Sequence, residues 1–144
     1  MARSRTFVSS LVILLAFVGS GCDRFWHLSA GANVPGPLSA ECVAGTLRKV
    51  EGVDSVWVRR YTPDTSRVQS IDFLMWSTRR YGSLTASQDR SNDSLRLQMS
   101  ATWVGGKPPS DTIEARARVF SSVLEGVGRS CWGTAVAVNI EWPR

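Results

Sequence analysis

The sequence predicts an α+β domain, an antiparallel sheet of about five strands with two helices packed on one face, in the order α-β-β-β-β-α-β. Three observations predict it. From Ser94 to Val104, Leu95, Leu97, Met99, Ala101 and Trp103 alternate with Arg96, Gln98, Ser100 and Thr102, the period of a strand with one wet face. Two other stretches carry apolar residues at helical spacing between cap signals. Short connections join the middle strands, which favours neighbour-to-neighbour antiparallel pairing.

The first helix is expected from Ser39 to Glu51. Pro37 precedes it, Ser39 suits the N-cap, and Val43, Leu47 and Val50 form one apolar stripe beside Cys42. Glu41 in its first turn and Arg48 and Lys49 in its last match the helix dipole, and Gly52 stops it. Ser55 to Thr62 is strand-like, with Val56, Trp57, Val58 and Tyr61, and Pro63-Asp64 turns the chain. Val68 to Ser77 has apolar residues on both faces, Ile71, Phe73 and Met75 against Leu74 and Trp76, which suggests a central position. Arg79 to Ser87 is expected as a third strand, and 89–93 as a polar turn before Ser94.

Gly105 to Pro109 breaks the strand pattern. The second helix starts at Ser110 or Asp111, with Glu114 at capping-box spacing from Asp111. Ile113, Ala117, Phe120, Leu124 and Val127 mark its buried face, and Gly128 is expected to end it. Trp132 to Trp142 reads as the last strand, through Val136, Val138, Ile140 and Trp142.

The start of the chain reads as an address. Arg3 and Arg5 precede the uncharged apolar run Phe7–Val18, which has the length of a signal-peptide core and is too short to span a bilayer. At Gly19-Ser20-Gly21-Cys22 the sequence resembles a bacterial lipoprotein signal with its lipobox, differing at Gly19, where that family has an aliphatic residue. The resemblance covers only this start. It implies cleavage of residues 1–21 and acylation of Cys22. It also implies a bacterial cell-envelope protein held on a membrane by palmitate-type chains and facing the periplasm. Ordinary secretion and an uncleaved anchor are the alternatives. Asp23 resembles an inner-membrane retention signal without deciding the membrane.

Residues 22–37 are expected as the lipidated Cys and a flexible tether, because Gly31, Pro35, Gly36 and Pro37 interrupt regular structure. In that tether Phe25 and Trp26 suit the membrane interface, and His27, the single histidine, is expected to be solvated. Residues 38–144 are then one domain. With Cys22 acylated, Cys42 and Cys131 are an even pair in an oxidising compartment, which suggests one disulfide; two buried thiols are the alternative.

The net charge of +5 falls by two without Arg3 and Arg5, and Lys49 and Lys107 are the only lysines. So mild a charge on an exported chain does not point to nucleic acid. Nucleophilic catalysis needs an activated Ser or Cys with a base, and the single His sits in the expected tether. No zinc spacing is visible, Gly105-Gly106-Lys107 reads as a turn, and Asp64, Asp72 and Asp89 read as turn and surface acids. No catalytic, cofactor-binding or metal-ligating residue is assigned.

Two features could bind. Arg59, Arg60, Arg79 and Arg80, with Arg67, could cluster on the wet face of the sheet as a guanidinium patch for an anionic envelope ligand. Six tryptophans are present, at least four of them expected in the core; two exposed together would mark a recognition site. The functional expectation is a non-catalytic, membrane-anchored envelope lipoprotein that binds a protein partner, with an inhibitor or immunity role as its more specific version. Binding of an anionic envelope ligand through the arginines is the alternative.

Overall fold

The computed structural model describes residues 24–61, 68–76, 81–89 and 94–143. Its elements are β1 (Phe25–Pro35), α1 (Ala40–Leu47), β2 (Ser55–Tyr61), β3 (Val68–Trp76), β4 (Tyr81–Asp89), β5 (Ser94–Val104), α2 (Ser110–Trp132) and β6 (Val138–Glu141). All strands join one antiparallel sheet in the order β2-β3-β4-β5-β1-β6. The fold is α+β, as the sequence predicts, with a sixth strand.

The added strand lies where a flexible tether was expected. Phe25–Pro35 is β1, an inner strand paired with β5 along its whole length and with β6 from Ser29 to Ala32. Its even-numbered residues Leu28, Ala30, Ala32 and Val34 are buried in the common core. Gly31 does not break the strand, because ladder hydrogen bonds on both sides supply the order that propensity withholds. Small Ala30 and Ala32 leave room for α2 to pack close over β1.

β2 to β5 form the expected meander, each pairing with the next. Phe73, Leu84, Leu95 and Leu97 point into the same core as Val43 and Leu47 of α1 and Phe120, Leu124 and Val127 of α2. Burying one such side chain contributes roughly 1.5–3 kcal/mol. The helices thus share one face of the sheet, and among the described residues no helix lies over the other face.

The cap of α1 is as expected, with Ser39 Oγ accepting from the Cys42 amide at 3.3 Å. The helix ends at Leu47, a turn earlier than expected. α2 departs further. It runs through Gly128 to Trp132 and ends on Gly133, whose φ of 67° is the left-handed conformation that glycine adopts without steric cost. Gly128 serves packing instead: a Cβ there would lie 2.6 Å from Val136 Cγ1. The last strand is correspondingly shorter than expected, since Trp132 belongs to α2.

Cys42 of α1 and Cys131 of α2 form a disulfide, with Cα atoms 5.7 Å apart and a separation of 89 positions in sequence. It fastens the two helices side by side. Thr46 Oγ1 lies 3.7 Å from Cys131 Sγ beside it.

Candidate functional site

The uncovered face of the sheet is built by the residues that alternate with the core. On β1 these are Phe25, His27, Ser29, Gly31 and Asn33; opposite them on β5 stand Val104, Thr102, Ser100, Gln98 and Arg96. Polar contacts tie the strands across this face. Thr85 Oγ1 donates to Asp72 Oδ1 at 2.8 Å, joining β4 to β3. Ser29 Oγ donates to Glu141 Oε2 at 3.0 Å, joining β1 to β6. Arg96 of β5 lies over Gly31, where a Cβ would meet its Nη2 at 3.5 Å, and reaches to 4.0 Å from Glu141 Oε1.

The arginine patch is not assembled by the residues described. Arg59 stands opposite Asp72 and Arg60 opposite Ile71, so the two side chains leave opposite faces of β2. A strand's period of two makes this unavoidable for adjacent residues. β2 is an edge strand, and charges on both its faces discourage unwanted pairing with another chain. Arg67, Arg79 and Arg80 lie outside the described residues, as do Cys22, Asp64 and the whole expected signal segment.

The tryptophans also depart from expectation. Among those whose side chains are described, Trp26, Trp103 and Trp132 are half-buried, while Trp57 and Trp142 are 70% and 52% exposed. The core beneath the helices is filled by aliphatic side chains and two phenylalanines, so the larger indoles stand at its margins, where the N–H can find a partner. Trp26 shows this, donating from Nε1 to the Gly105 carbonyl at 3.2 Å.

The end of the sheet where β1 begins and β5 finishes carries a second group. Phe25 and Val104 are cross-strand neighbours, 66% and 61% exposed. On the helix side of the same strands, the Lys107 ammonium sits 5.6 Å from the centre of the Trp26 ring, a cation–π contact. Phe25, His27, Ile140, Glu141, Trp142 and Pro143 line a half-open concavity of about 600 Å³. His27 is part of a strand, not of a tether, and its Nδ1 lies 3.1 Å from Thr102 Oγ1.

Sequence reasoning missed this end because it depends on β1. Only the pairing of β1 with β5 brings Phe25 beside Val104 and Trp26 beside Gly105. Among the described residues no three His, Cys, Asp or Glu side chains gather as a metal site, and no helix is long and apolar enough to cross a membrane. No protein-family model matches the chain, and no curated protein compared with it matches.

Proposed function

We propose that this chain is a non-catalytic lipoprotein of the bacterial envelope, acylated at Cys22, that binds a protein partner on the uncovered face of its sheet. The observation that carries the binding reading is Trp57. Its indole is 70% exposed on that face, two residue pairs along the ladder from the Arg59–Asp72 register position. An exposed indole flanked by opposite charges is the composition of an interface anchor, since Trp and Arg contribute most where they are desolvated together. The lipobox-like Gly19-Ser20-Gly21-Cys22 supports the anchor.

A photo-reactive phenylalanine analogue placed at Trp57 in cells tests the partner. The expected result is one discrete cross-linked envelope protein from position 57 and none from Val119, which is 45% exposed on α2. Cross-linking that is absent at position 57, or identical at both positions, contradicts the reading. An inhibitor or immunity role is a narrower form of the same proposal, and it requires that the captured protein be a cell-wall hydrolase.

A further inference from the structure

We infer that the end of the sheet formed by Phe25, Val104 and the adjoining Trp26–Trp103 pair is a foot that enters the headgroup boundary of the phospholipid bilayer holding Cys22. This rests on acylation of Cys22, as proposed above. The structure adds the distance. β1 begins at Phe25, three residues after Cys22, and three residues span at most about 11 Å. A domain so attached has no spacer, and the end that starts β1 faces the membrane.

That end has the chemistry of a membrane interface. Phe25 and Val104 are each more than half exposed there. β6 runs antiparallel to β1 with Glu141 opposite Ser29, so Trp142 stands level with Leu28, higher up the strand. Phe25 and Trp142 line one concavity. Aromatic rings of this kind partition to the headgroup level. Arg24 and Lys107 are exposed at the same end, beside Phe25 and Trp26, where cations suit phospholipid phosphates.

The alternative occupants of this end are a second copy of the chain or another protein, and either would shield it from lipid. Trp57 supplies the internal control. Continuing the registers across the sheet, Trp57 stands level with Ser29, about 13 Å up the strand from Phe25.

The test uses the full protein purified from membranes and reconstituted into vesicles of phosphatidylethanolamine and phosphatidylglycerol with brominated acyl chains, which quench indole fluorescence on contact. The expected result is strong quenching that is largely lost in Trp26→Phe together with Trp103→Phe, the cross-strand pair next to Phe25 and Val104, and unchanged in Trp57→Phe. Intact mass on the same sample reads acylation separately. An acylated protein whose indoles are not quenched, or whose quenching ignores Trp26 and Trp103, overturns the foot and leaves the anchor standing. A protein without acyl mass overturns both.

Discussion

Arg96 of β5 crosses above Gly31 of β1 and brings its guanidinium to 4.0 Å from the Glu141 carboxylate of β6. The pair spans three strands, and a Cβ at position 31 would touch the guanidinium at an ordinary 3.5 Å. Both partners are more than half exposed, so the ion pair itself contributes no more than about 1 kcal/mol. Glu141→Gln is expected to lower stability by less than about 1 kcal/mol in urea titration, since Ser29 still has an acceptor there. Gly31→Ala should be tolerated or slightly stabilising, because its Cβ makes ordinary contacts and the unfolded chain loses freedom, an effect of about 0.4–1 kcal/mol.

Ala30→Asp distinguishes a strand from a tether. Ala30 is fully buried on the core side of β1. An unpaired carboxylate there costs several kcal/mol, of order the whole stability of a domain this size. Circular dichroism should show an unfolded or severely destabilised protein. An unchanged melting curve would mean that residues 25–35 are not part of the sheet.

The disulfide is expected to carry much of the stability. Replacing Cys42 and Cys131 together by Ala should cost about 2–5 kcal/mol, because a bridge across 89 positions restricts the unfolded chain strongly. The loss should be measurable as a lower urea midpoint, and reduction of the native protein should reproduce it.

Gly128 and Val136 should behave as a coupled pair. Gly128→Ala places a methyl group 2.6 Å from Val136 Cγ1 and is expected to cost about 1–3 kcal/mol despite the better helix propensity of Ala. Adding Val136→Ala removes the clash, so the double variant should be more stable than the sum of the two single effects. Strict additivity would place the two residues apart.

The alternation of Ser94–Val104, the stripe of α2 and the cap at Ser39 are local patterns, and each became the expected element. The Cys42–Cys131 bridge followed from cysteine arithmetic once Cys22 was set aside. β1 is different. Trp26, Leu28, Ala30, Ala32 and Val34 do alternate, but Ala and Gly are poor strand formers, and the Pro-Gly-Pro that follows reads as a linker. What makes this a strand is pairing with β5, some seventy residues away, and β6 beyond it. The sheet-end cluster of Phe25, Val104, Trp26 and Trp103 was therefore hidden with it. Gly128 misled for a related reason: its packing against Val136 is a tertiary contact, and the stop signal belongs to Gly133. Arg59 and Arg60 leave opposite faces of β2, as neighbours on a strand must, and the other arginines of the expected patch lie outside the described residues.

Acylation of Cys22 underlies both the proposed address and the foot at Phe25. Its direct test is the intact mass of the protein recovered from membranes, taken with a thiol label before and after reduction. The expected result is a chain that begins at Cys22 with added acyl mass, and label entering Cys42 and Cys131 only after reduction. A chain that keeps residues 1–21, or that carries no acyl group on Cys22, would contradict it.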